Sequence, residues 1–75
     1  MTTHPQLQKF GRKIRQQRQA CGLSQEELAE RCGLHRTYIG GIERGERNLA
    51  LLNILKLAAA LKVPPSQLME GLEQE

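Results

Sequence analysis

Aromatic side chains are nearly missing from this chain, which has no tryptophan, one tyrosine and one phenylalanine. Phe10 is therefore the expected aromatic anchor of the core. Cysteine is scarce too. Cys21 and Cys32 lack metal-ligand spacing, and neither has a histidine placed as in a zinc finger, so no metal is expected. Cys32 falls on an inward helical position and reads as a small core hydrophobe, while Cys21 ends the first helix. A disulfide is not expected in a reducing compartment. No apolar run approaches the ~20 residues that span a bilayer, and no charged-then-apolar start marks a signal peptide. Neither a membrane partner nor export is expected, and the cytoplasm is the expected location. No Ser/His/Asp or Cys/His set is present, and no paired carboxylates line a plausible cleft. No catalytic residue, cofactor or small-molecule ligand is therefore expected.

Length is also limited. A chain of 75 residues buries only about 60% of its unfolded surface and is marginal by itself. Association with a second copy is one way to add core. The net charge of +3 is unevenly placed. Residues 1–47 hold nine Lys and Arg against five Glu, a net of +4, whereas residues 48–75 hold two against three. Such asymmetry favours a polyanion at one end of the molecule, the plain alternative being a solvated basic face.

The periodicity predicts an all-α chain of five helices, over residues 6–20, 25–32, 36–44, 51–61 and 65–71. Residues 1–5 are expected to form a flexible arm, 6–72 a single domain and 73–75 a polar tail. In the first helix Leu7, Phe10 and Ile14 make the inward stripe, with Gln17 at its edge, and Gly22 closes the helix. Ser24 and Glu27 form a capping box for the second. Leu28, Ala29 and Cys32 share its inner face. Gly33 can stop it in the left-handed conformation, Leu34 packs the turn, and His35 sits where an N-cap belongs. Ile39 and Ile42 face inward from the third helix. Arg36, Thr37, Gly40, Gly41 and Arg44 look outward, and Gly45 supplies the next stop.

Leu49 and Ala50 precede the fourth helix, which therefore lacks a side-chain N-cap, a loss of about 1 kcal/mol. Leu51, Ile54, Ala58 and Leu61 are its expected core stripe, with Leu57 beside them. Leu52, Leu55 and Ala59 form a second apolar stripe that a monomer of this size cannot easily cover. Lys62 stands where a helix-ending glycine is common. Pro65 suits the first position of a short fifth helix presenting Leu68, Met69 and Leu72.

Arg18, Leu23, Gln25, Glu27, Leu28, Ala29, Gly33, Ile39, Ile42, Glu43, Gly45 and Asn48 carry a resemblance that runs from about Phe10 to Leu68. This stretch resembles the helix-turn-helix of the phage repressor and Cro family, the XRE-like group of small bacterial transcriptional regulators. The run HRTYIGGIERGERN before a leucine-rich helix is most similar to the controller proteins of restriction–modification systems. The resemblance implies a homodimer bound to a pseudo-palindromic double-stranded DNA operator, acting on its own promoter, with RNA polymerase a further candidate partner. It places base readers at Arg36, Thr37 and Gly41, although Gly41 has no side chain. Tyr38 is a further candidate reader or phosphate contact.

Phosphate contacts are expected from Ser24, Gln25, His35, Arg44, Arg47 and Asn48, with Arg47 also within reach of the groove. Arg18 and Glu43 fall on the family's ion-pair positions, either as a structural pair or with one donor left for a phosphate. Leu52, Leu55, Ala59, Leu68, Met69 and Leu72 are the expected dimer surface. The Gly40–Gly41 pair is unusual inside a helix. It reads either as close backbone approach to the groove floor, which is favoured, or as tight packing. Alternatives within DNA binding are a phage-type repressor and the antitoxin of a toxin–antitoxin pair. Outside it, the alternative is a helical protein-interaction module.

Overall fold

Proline at position 5 opens the first helix, because its fixed φ suits the first helical position and its missing N–H would be unpaired there anyway. The computed structural model describes residues 4–73. Helix α1 runs Pro5–Ala20, α2 Gln25–Cys32, α3 Arg36–Glu43, α4 Leu51–Leu61 and α5 Pro65–Met69. The described residues contain no strand. Two residues of the expected 1–5 arm belong to α1, His4 as its N-cap and Pro5 as its first residue. The rest of that expected arm, residues 1–3, and residues 74–75 of the expected tail lie outside the described residues.

The helix ends follow local chemistry. The Ser24 Oγ accepts from the Glu27 N–H at 3.0 Å, and the Glu27 carboxylate accepts from the Ser24 N–H at 2.8 Å, which completes the capping box. Those hydrogen bonds hold the Glu27 carboxyl below its ordinary pKa. Gly33 ends α2 at φ +71°, and the Leu34 N–H donates to the Ala29 carbonyl. Helix α3 stops at Glu43, one residue short of expectation. Gly45 turns at φ +78°, and the Gly45 and Glu46 N–H groups donate to the Ile42 and Gly41 carbonyls. Lys62 takes the same left-handed turn after α4 at φ 59°. Helix α5 ends at Met69 rather than Gly71, which lies beyond it at φ +78°.

Phe10, Ile14, Leu23, Leu28, Ala29, Cys32, Ile39, Ile42, Leu57, Ala58, Leu61 and Leu68 form one buried core. Burial pushes the Cys32 thiol pKa up, whereas Cys21 is exposed. Helix α3 packs on both α1 and α2, while α4 packs on α2 and α5 closes against α1 and α4.

Two expectations about the C-terminal half are corrected. Leu51 was assigned to the core but is 68% exposed. At about 100° of rotation per residue, it falls to the Leu55 side of the stripe made by Leu57, Ala58 and Leu61. Leu68 was assigned to the dimer surface but is fully buried. The Pro64–Pro65 turn folds α5 back so that Leu68 fills the space between α1 and α4.

Candidate nucleic-acid interface

Helix α3 is held from within by apolar packing and from one side by a charge network. Ile39 and Ile42 are sealed in the core. The Arg18 Nε donates to the Glu43 Oε2 at 2.6 Å, and the Arg18 Nη2 donates to Oε1 at 3.1 Å. A third Arg18 nitrogen, Nη1, donates to the Leu23 carbonyl at 2.8 Å. The Glu43 side chain is only 3% exposed. The fork-to-carboxylate geometry ties α1 to the end of α3, and the hydrogen bonds to Glu43 raise the Arg18 pKa.

Gly11 adds a contact that the sequence reading missed. A Cβ there would run into the Ile42 carbonyl oxygen and lie 2.7 Å from that of Glu43. Both are backbone atoms, so α1 reaches the end of α3 this closely only because position 11 lacks a side chain. Gly45 has a similar close neighbour, with a Cβ there falling 2.9 Å from the Gln8 Cα.

The other side of α3 faces outward at its N-terminal end. The His35 Nδ1 accepts from the Thr37 N–H at 3.1 Å, which makes His35 the N-cap. Thr37 is exposed, and Arg36 presents a side chain 66% open to solvent with a loose ion pair to Glu26 at 3.6 Å. Arg44 and Arg47 are exposed after the helix, and Arg44 pairs with Glu46 at 3.1 Å. Exposed cations therefore stand at both ends of α3.

Several candidate residues have placements that spacing did not anticipate. The Gln25 Nε2 donates to the Glu43 Oε1 at 2.9 Å, so this amide belongs to the Arg18–Glu43 network as well as to the surface. Tyr38 is half-buried. Its hydroxyl accepts from the Asn53 amide at 3.4 Å, and the Arg47 guanidinium lies over its ring, 5.5 Å from the centroid. Ser24 is occupied as a cap. Asn48 is exposed and lines an apolar groove of about 270 Å³ with Leu7, Phe10, Leu49, Ile54, Met69 and Leu72.

Helical spacing turns Gly40 and Gly41 outward, but both are buried. The end of Arg44 covers Gly40 and the stem of Arg47 covers Gly41. Of the remaining dimer candidates, Leu52, Leu55, Ala59 and Met69 are exposed and Leu72 is half-buried. Among the described residues, no group of three or more His, Cys, Asp or Glu could hold a metal ion. No helix there is long and apolar enough to cross a membrane.

The helix-turn-helix family pattern matches residues 14–68, which takes in α2, α3 and the turn between them. The chain belongs to the helix-turn-helix family. It is 53% identical over 62 residues to the control protein C.BamHI of Bacillus amyloliquefaciens, covering 81% of this chain and 76% of that one. The restriction–modification controller protein C.AhdI of Aeromonas hydrophila superposes with a TM-score of 0.85 at 55% identity, over 87% of this chain and 98% of that one. SinR, a master regulator for biofilm formation solved in complex with DNA, superposes with a TM-score of 0.78 at 34% identity, over 81% of this chain and 98% of that chain. Helices α2 and α3 are thus the two helices of a helix-turn-helix, with α3 in the place of the recognition helix.

Proposed function

We propose that this helix-turn-helix protein is a sequence-specific transcriptional regulator that binds a pseudo-palindromic DNA operator as a homodimer and acts as a restriction–modification controller on its own promoter. The observation that carries the reading is the division of α3. Ile39 and Ile42 are sealed in the core and the Glu43 side chain is held by Arg18, while Arg36 and Thr37 are exposed at the N-terminal end. A helix fits the major groove, and side chains near its N-terminus reach base edges. Arg36 offers two parallel donors to guanine, and Thr37 a hydroxyl and a methyl. Arg44 and Arg47 add positive charge beyond the end of the helix. The similarity to C.BamHI and C.AhdI supports the controller role.

Dimerisation is supported by the exposed leucines of α4. Leu52 is 69% exposed, Leu51 and Leu55 are exposed with it on α4, and Met69 is exposed on α5. Two copies related by a two-fold axis would read half-sites about 34 Å apart. Occupancy would then rise steeply with concentration, as suits a protein that regulates its own synthesis.

Selecting bound duplexes from a random pool tests the reading. The expected result is a two-fold symmetric motif, present upstream of the protein's own coding sequence, with affinity that falls as salt rises. Recovery of no motif, or binding indifferent to salt, overturns it. A helical protein-interaction module would give that second result.

A further inference from the structure

Gly40 and Gly41 do a job that neither backbone conformation nor backbone crowding explains. Neither has the positive φ of Gly22, Gly33, Gly45 and Gly71. Neither abuts backbone in the way that Gly11 abuts the Ile42 and Glu43 carbonyls. Two glycines also weaken a helix of eight residues. What lies nearest over them is arginine, with the Gln25 Oε1 also 3.5 Å from where a Cβ on Gly40 would sit. A Cβ on Gly40 would sit 3.1 Å from the Arg44 Nη1, and one on Gly41 would sit 3.1 Å from the Arg47 Nε and 3.2 Å from its Cγ.

We propose that Gly40 and Gly41 are specificity determinants that act by vacancy: they form the bed on which Arg44, paired with Glu46, and Arg47 lie back across α3, and Arg47 takes over base reading from the side chain missing at position 41. The inference rests on the proposed DNA-binding function and deepens it. An arginine beyond the end of a helix ordinarily points toward the flanking phosphates. Here the Arg47 side chain runs back over position 41, flanked by the Tyr38 ring at 5.5 Å. Tyr38 is in turn joined to α4 through Asn53. A guanidinium stacked on an aromatic ring keeps its N–H edge free for in-plane hydrogen bonds. That edge matches the O6 and N7 acceptors of guanine. The position that side-chain spacing leaves empty is thereby filled from six residues further along the chain, and the chemical target is a guanine in the major groove.

A double-mutant cycle in the full chain tests this. Duplexes are selected from a random pool by the wild type, Arg47→Ala, Gly41→Gln and the double variant, and each variant is then titrated against the wild-type motif and against single-base changes in it. Glutamine is a good helix former, so a thermal melt of Gly41→Gln no lower than that of the wild type is expected. Arg47→Ala and Gly41→Gln should relax preference at the same base position, each weakening specific binding by about 5- to 150-fold. In the Arg47→Ala background, Gly41→Gln should cost less than about twofold, because the arginine it would displace is gone.

A full cost in that background would show that the new side chain blocks the helix itself, and would overturn the proposal. Equal loss on every sequence for Arg47→Ala would make Arg47 a phosphate contact and would also overturn it, leaving the DNA-binding function intact. Failure of the wild type to select any motif would remove the function and this inference together.

Discussion

Arg36 and Arg18 carry the same charge to opposite purposes. Arg36 is held only by a loose exposed pair with Glu26, worth little in water, so its fork is available to a base. Arg36→Ala should lower specific DNA affinity by about 1–3 kcal/mol and relax preference at one base position. Titration against a panel of single-base operator variants checks this, and an unchanged preference would move base reading elsewhere. Arg18 is committed to Glu43 and the Leu23 carbonyl. Arg18→Ala would leave a carboxylate buried without its partner, at a cost of about 3 kcal/mol. Chemical denaturation should show the lost stability. A variant as stable as the wild type would mean that Glu43 finds another partner or becomes protonated.

At the scale of elements, the capping box predicts a pH signature. Glu27 has a folded pKa below its unfolded value, so its contribution is full above the unfolded pKa of about 4.3. It fades as pH falls through the lower folded value. Glu27→Gln should therefore flatten that part of the stability–pH curve relative to the wild type, as urea midpoints between pH 5 and pH 2 would show. Identical slopes would remove Glu27 from the account. At the α1–α3 crossing, Gly11→Ala forces a methyl against two backbone carbonyls. It should cost about 1–3 kcal/mol, measured as a drop in thermal midpoint, and a neutral substitution would show that the crossing yields.

The helices themselves were legible in the sequence because their ends are local chemistry. Ser24 with Glu27, Gly33, His35 and Pro65 each act on backbone groups within a few residues. The Arg18–Glu43 pair came through the family resemblance, since nothing local joins positions 25 residues apart. What stayed hidden was decided by neighbours distant in sequence. Periodicity assigns a face but not what lies opposite it, so Leu51 and Leu68 were exchanged between core and surface. Gly11 gave no signal, because a glycine within a helix does not announce what approaches it. The covering of Gly40 and Gly41 depends on arginines folding back, which helical spacing does not encode.

The described residues measure 33 × 27 × 21 Å, comparable to one turn of duplex, so under the proposed function a palindrome takes two copies. The apolar side of α4 left open by the core is where the second copy is expected. Leu52→Glu places a charge in that surface at a position 69% exposed. It should yield a folded monomer with weak operator binding, seen by sedimentation and titration. An intact dimer would locate the interface elsewhere.

The division of α3 between an anchored side and a free side has a consequence for divergence among such proteins. The residues that hold the rod in place, Gly11, Arg18, Ile39, Ile42 and Glu43, are not the ones proposed to meet a base. Under the proposed function, drift at 36, 37, 40, 41, 44 and 47 would therefore change the address a protein seeks without loosening its frame. One scaffold can be retargeted from operator to operator, each new vocabulary written on a handful of letters.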